Sequence, residues 1–333
     1  MKRKYGFNFL WMYSFDPNNP TPLEPNTDEL DFISEEGFNF VRIPTDYRFW
    51  TNSCDFTDVK EESLEFIDRY IEACNSRGLH ACFNIHRGIG YCINWPEREK
   101  YNLWRDSEAQ DGFVYQWCMF AKRYKGISSE KLSFDLINEP CSIPPTHPCT
   151  REDHEKVIRR TVAEIRSIDP QREIVIDGFN GGGSALPELA DLGKNGVIHS
   201  GRGYEPFLLT HYKAEWVRGG ADWDMPSYPS EIGDRDSLRR YYEPWRQVEK
   251  QGVKVHIGEF GCYNKLPNDI ALKWFDDLLS LYYEFGWGYS LWNFRGSFGI
   301  VEHGRSGTVY DSYRGFNVDR KLLRLLKKYR RDD

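Results

Sequence analysis

Ser133-Phe134-Asp135-Leu136-Ile137-Asn138-Glu139-Pro140 is the stretch on which the reading of this chain turns. Leu132, Phe134, Leu136 and Ile137 are apolar and a proline ends the run, the pattern of a short buried strand opening into a loop. Asn138 and Glu139 stand at the opening. Burying a carboxylate at the end of an apolar strand is costly unless it has partners or a chemical task. The same design returns in Val253-Lys254-Val255-His256-Ile257-Gly258-Glu259-Phe260-Gly261, another short apolar run that closes on a glutamate.

Outward from these two segments the chain alternates. Strands are expected over residues 6–10, 38–44, 79–86, 173–179, 197–204 and 289–294, besides the two glutamate strands. Helices are expected over 27–36, 61–77, 112–125, 153–168, 236–251, 270–285 and 319–329, with a short one near 186–191. The 61–77 segment carries Leu64, Ile67, Ile71 and Cys74 at helical spacing. The 27–36 segment has Asn26 or Thr27 as N-cap and Gly37 as its stop. Strict alternation argues a parallel sheet. Eight such units argue a (β/α)8 TIM barrel spanning 1–333 as a single catalytic domain, with its site at the C-terminal ends of the strands. Arg42, His86, Asn138, Glu139, Glu259 and Trp292 all fall at such ends. A doubly wound open sheet would want a glycine-rich fingerprint after the first strand, and residues 6–13 have none. Gly181-Gly182-Gly183 reads as a turn rather than a phosphate cradle, since no basic or hydroxyl partner follows it in a motif.

The chain has 333 residues and a net charge of −7 spread along its length, which argues against a nucleic-acid partner. No apolar run reaches the length of a membrane span. Met1-Lys2-Arg3-Lys4 resembles the basic start of a signal peptide, but Gly6 and Asn8 interrupt the apolar residues after it and no small-residue cleavage site is present. The expectation is a cytoplasmic protein as the chain is written, or a secreted one if a signal segment has been removed. The eight cysteines are scattered without a CxxC, so no structural zinc is expected, and only Cys141 and Cys149 share a loop in which a bridge would fit. His86 and His211 are too few, and lack a His-x-His pair, for a metal-dependent hydrolase. No metal and no cofactor are expected, and the chain is expected to be a monomer.

Two glutamates at two strand ends are the minimum equipment for glycoside hydrolysis, one as acid and one as base or nucleophile. The 11 Trp and 20 Tyr suit sugar faces. Trp95, Trp104, Trp216 and Trp223 lie in the two longest loops after strand ends, and at least two are expected to line a cleft; the bland alternative is that they pin the loops to the barrel.

With these residues in place, the chain resembles glycoside hydrolase family 5, the cellulase family of retaining β-glycosidases. The likeness runs from Gly6-Phe7-Asn8 to Tyr329 and is most specific at Asn138-Glu139-Pro140. Arg42 in Val-Arg-Ile-Pro, His86, Glu259 in Ile-Gly-Glu-Phe-Gly and Trp292 keep the family's order. The resemblance implies Glu139 as acid/base, Glu259 as nucleophile and Asn138 as the holder of the sugar 2-hydroxyl. It also implies that Arg42 and a sixth-strand tyrosine, Tyr204, keep Glu259 ionised, and that Trp292 floors the subsite of the non-reducing sugar. The implied substrate is a β-1,4-linked glucan or a related oligosaccharide, with the carboxyl groups about 5–5.5 Å apart. An exo-acting β-glucosidase, a β-mannan-directed enzyme and a catalytically inactive sugar-binding barrel are the alternatives. One departure stands out. Where the family has His-x-Tyr at the sixth strand, this chain has Arg202-Gly203-Tyr204. Either Arg202 or the later His211 takes the place of that imidazole in binding the leaving sugar.

Overall fold

The computed structural model describes residues 2–16, 18, 22–52, 55–94 and 96–331. Eight parallel strands close into a barrel in sequence order: β1 (Tyr5–Asn8), β2 (Phe40–Asp46), β3 (His80–Arg87), β4 (Leu132–Asp135), β5 (Glu173–Asp177), β6 (Val197–Gly203), β7 (Lys254–Phe260) and β8 (Gly288–Leu291). Closure is made by β1, whose Gly6 pairs with Phe40 of β2 on one side and Ser290 of β8 on the other. Each strand is followed by a helix: α1 (Thr27–Glu35), α2 (Glu61–Asn75), α3 (Ser107–Arg123), α4 (Arg151–Ile168), α5 (Ala190–Gly193), α6 (Arg235–Glu249), α7 (Asn268–Phe285) and α8 (Arg320–Lys328), with a further single helical turn, Phe207–Thr210, between the sixth strand and α6. This is the (β/α)8 barrel that the alternation predicts.

Local sequence explains the helices. In α2 the predicted stripe of Leu64, Ile67, Ile71 and Cys74 is buried against the sheet. At the head of α4, Thr150 and Asp153 form a reciprocal capping box, a device worth about 1 kcal/mol. At the tail of α7, Gly286 adopts φ 76° and ends the helix in the left-handed conformation. One large apolar core lies between strands and helices. Inside the barrel, near its N-terminal end, Phe40, Cys82, Val175 and Ile198 make a separate small cluster. Beside that cluster a cavity of about 340 Å³ opens at the N-terminal face, and its lining reaches as far as Arg42 and Asp135.

The structure departs from expectation at several boundaries. Helix α3 begins at Ser107 rather than 112, and the expected short helix becomes a 3-10 turn, Pro187–Leu189, followed by α5. Two antiparallel hairpins were not foreseen: Thr51–Asn52 with Asp55–Val59, and Tyr310–Tyr313 with Phe316–Asp319. The second turns on Arg314 and Gly315, both at positive φ (41° and 89°), as a two-residue hairpin turn requires. Strand β4 ends at Asp135, four residues short of Glu139, and β8 ends at Leu291, so Trp292 lies just beyond it. Cys141 and Cys149 are both free thiols, so the loop they share holds no bridge. Among the described residues no helix is long and apolar enough to cross a membrane.

Candidate active site

The C-terminal mouth of the barrel is built around two buried arginines. Arg42, from the middle of β2, points inward and distributes its donors over four side chains. Its Nε binds Asp135 Oδ2 at 2.6 Å, its Nη1 binds Asn8 Oδ1 at 3.0 Å and Glu259 Oε1 at 2.5 Å, and its Nη2 binds Asn138 Oδ1 at 3.0 Å. Arg202, from β6, does the same from the opposite wall. Its Nε binds Glu139 Oε1 at 2.9 Å, its Nη2 binds Asn138 Oδ1 at 2.9 Å, and both Nη atoms engage the carboxylate of Asp177 at the end of β5. Arg202 Nη2 also lies 3.4 Å from Glu259 Oε1. Both guanidiniums are held firmly charged: burial works against the charge, and the surrounding carboxylates more than offset it.

Four carboxylates, Asp135, Glu139, Asp177 and Glu259, face these two cations, and two cations cannot neutralise four anions. The excess appears as retained protons. The Glu139 carboxyl is pushed up to about 7, by burial first and by the charge of Glu259 second, against the pull of Arg202. Asp135 is also raised by burial, with Arg42 opposing. Glu259 takes Arg42 on one oxygen and a hydrogen bond from the Tyr204 hydroxyl on the other at 3.0 Å. The Tyr204 phenol itself is held well above its ordinary value by burial and by Glu259, so it remains a donor.

Asn138 is buried and its orientation is fixed, because both arginines donate to its Oδ1. Its Nδ2 is buried and has no partner among the described residues. His86 stacks on Trp292 (centroids 5.4 Å apart, planes 20° apart), and Tyr13 meets both rings edge-on. Burial, with Arg42 and Arg87 behind it, holds His86 well below its ordinary range, so it is a neutral imidazole. His211 sits outside this group: its Nδ1 is 3.0 Å from the Thr210 hydroxyl, and its ring stacks on Phe207 and meets the edge of Tyr204. Of the loop tryptophans, Trp216 is 58% exposed and packs on Tyr263 and Phe298, while Trp104 is buried against Tyr91 and His154. Trp223 is half-buried at the edge of Phe207, and Trp95 lies outside the described residues.

Sequence reasoning missed Asn8, Asp135, Asp177, Tyr13 and Tyr91. The signal that exposed the glutamates was available for Asp177, since Ile174-Val175-Ile176-Asp177-Gly178 is also an apolar strand closing on a carboxylate. Tyr91 carries no such mark, yet its hydroxyl donates to the Glu139 carbonyl at 2.6 Å and accepts from the Cys141 N–H at 2.9 Å. Among the described residues no cluster of three His, Cys, Asp or Glu side chains is placed to hold a metal ion.

The barrel has known counterparts. Residues 5–297 match the family described as Cellulase (glycosyl hydrolase family 5). This chain belongs to that family, and it is a glycoside hydrolase. It is 27% identical to Endoglucanase C of Acetivibrio thermocellus over 293 residues, covering 80% of this chain and 83% of that one. Among solved structures it superposes on a glycoside hydrolase at 56% identity with a TM-score of 0.94, covering 98% and 99% of the two chains. It shares its fold with the endoglucanase Cel5A of Thermotoga maritima at a TM-score of 0.76 and 24% identity, covering 97% and 96%.

Proposed function

We propose that this protein is a retaining β-glycosidase that cleaves β-1,4-linked glucan or its oligomers, acting as a monomer through one catalytic domain. The observation that carries this reading is the contrast between the two glutamates, each held by a different guanidinium. Glu139 is kept protonated near neutrality, while Glu259 receives Arg42 and the Tyr204 hydroxyl. An acid and a nucleophile set by their surroundings are what double displacement at an anomeric carbon requires.

In the first step a Glu259 oxygen attacks C1 as the bond from C1 to the leaving oxygen breaks, and Glu139 gives its proton to that oxygen. A β-linked sugar becomes an α-linked ester of Glu259. In the second step Glu139, now a carboxylate, takes a proton from water. The oxygen of that water bonds to C1, and Glu259 departs as a carboxylate. Two inversions return a β-product. The unpartnered Nδ2 of Asn138 supports its role at the sugar 2-hydroxyl. Trp292, backed by His86, supplies the ring face beneath the non-reducing sugar. The exposed Trp216 and the adjoining Phe298 and His211 extend the aromatic surface from Tyr204 outward, on the side of the leaving chain. The preference for glucan rests on the likeness to Endoglucanase C.

The test is a set of defined β-1,4-gluco-oligosaccharides, with products separated by size and the first-formed anomer followed by proton NMR. Initial β-product from internal cleavage is expected. Initial α-product would overturn the nucleophile assignment, and no turnover would leave the sugar-binding barrel as the reading.

A further inference from the structure

Arg202 stands where the family has a histidine, and its surroundings are built for it. Gly182, at φ 77°, faces the side chain so closely that a Cβ there would lie 2.4 Å from Arg202 Cγ, and a Cβ on Gly258 would lie 2.9 Å from Nη1. The glycine run that reads as a mere turn in the sequence is thus the recess for this arginine. Its donors are all engaged: Nε by Glu139, Nη1 by Asp177, the Ser200 hydroxyl (3.1 Å) and the Gly201 carbonyl (3.3 Å), and Nη2 by Asp177 and Asn138. A guanidinium has five N–H groups, and none of them is left for a sugar hydroxyl. Asp177 has a second task. Its Oδ2 accepts the Glu139 backbone N–H at 2.9 Å, and Glu139 sits at the strained φ of 49°.

We propose that Asp177 and Arg202 form a positioning pair for Glu139, which fixes the oxygen that carries the acid proton and balances the acid and base forms of that residue between the two halves of the reaction. This rests on the double displacement proposed above. Because the Arg202 N–H occupies Oε1, the acid proton of Glu139 is carried on Oε2. In the first half, the charge on Glu259 helps Glu139 keep its proton. Once Glu259 is an ester that charge is gone, and Arg202 favours the carboxylate that must take a proton from water. Asp177 tempers the cation, since an unshared guanidinium at this distance would keep Glu139 ionised from the start. The other groups facing the carboxyl are the phenols of Tyr204, Tyr91, Tyr13 and Tyr241 and the thiol of Cys141, all held above their ordinary values by burial and therefore neutral in the working range.

The two members therefore act on Glu139 with opposite sign, Arg202 lowering and Asp177 raising its proton affinity. The experiment measures kcat/KM against pH for the full chain with a nitrophenyl β-cellobioside, in wild type, Arg202→Gln and Asp177→Asn. The basic limb is expected to move up by roughly one pH unit in Arg202→Gln and down by roughly one in Asp177→Asn, the size of effect a nearby charge exerts. With a dinitrophenyl cellobioside, whose departure needs no acid, Arg202→Gln should show a burst of about one equivalent of phenolate followed by slowed turnover, because deprotonation of water is impaired. Shifts in the same direction, or none, with no burst, would show that the pair only packs the mouth. If Arg202→Gln does not fold, Arg202→His provides the same comparison in a side chain that fits the recess. Failure of the underlying reading looks different: Glu139→Ala would then retain wild-type turnover of the poor leaving group and gain nothing from azide.

Discussion

The two glutamates are held in different ways. Glu259 is inside β7, with β6 paired alongside it through Arg202 and β8 on its other flank, so the sheet itself places its Cα. Glu139 is four residues past the end of β4, at φ 49°, in a segment with no continuous ladder. Its backbone is fixed instead by two side chains, Asp177 on its N–H and the Tyr91 hydroxyl on its carbonyl. The nucleophile is thus positioned by the fold, and the acid/base by a small set of hydrogen bonds that mutation can remove one at a time.

The largest effects test the roles themselves. Glu259→Ala and Glu139→Ala should each lose several orders of magnitude in kcat on natural glucan, of which acid/base help alone accounts for roughly 10²–10⁴. Azide should rescue Glu259→Ala with an inverted product and Glu139→Ala with a retained one. The same anomer from both would erase the distinction between them. Next comes Arg42→Lys, which keeps the charge and loses the fork. Loss of one preorganised donor to a reacting group costs about 10²–10³ in kcat, and KM should change little.

The comparison sharpens with two tyrosines. Tyr204→Phe removes a bond to the nucleophile's own carboxylate and should lower kcat with the melting temperature nearly unchanged. Tyr91→Phe strips partners from two backbone groups next to Glu139, and buried groups left unpaired cost about 1–3 kcal/mol, so it should lower thermal stability as well as kcat. If Tyr91→Phe were as stable as wild type, the claim that side chains rather than the sheet hold Glu139 would fail. The pH dependence comes from the same residue. Glu139 must be protonated for the first step and its carboxyl lies at about 7, so kcat/KM should fall as pH rises through that value. A basic limb far above that value would mean that another group titrates. The smallest effect is expected at Trp216→Ala. Aromatic contacts contribute roughly 0.5–1.5 kcal/mol beyond burial, so KM should rise about two- to tenfold for longer oligosaccharides and stay unchanged for an aryl cellobioside.

Most of the barrel was legible because each unit repeats one physical rule, an apolar run followed by an amphipathic stripe such as Leu64, Ile67, Ile71 and Cys74. The reacting carboxylates were legible because charge at the end of an apolar strand is costly. The hairpin at Arg314-Gly315 was missed although its turn residues were plain, since its strands are only four residues each. Trp104 and Trp216 could not be separated by sequence at all: both are loop aromatics, and only packing sends one into the core and the other to the surface. The role of Tyr91 was hidden for the same reason, because it acts through backbone groups 48 and 50 residues away.

Gly182 has a consequence for how far position 202 is insulated from change. A Cβ at 182 would fall 2.4 Å from Arg202 Cγ, and the φ of 77° is itself one that side chains rarely adopt. Any substitution at 182 therefore displaces Arg202, and with it the contacts that Arg202 makes to Glu139 and Asp177. A residue that touches neither the acid nor the sugar thus carries a remote hold on the acid, through the one hydrogen it has in place of a side chain.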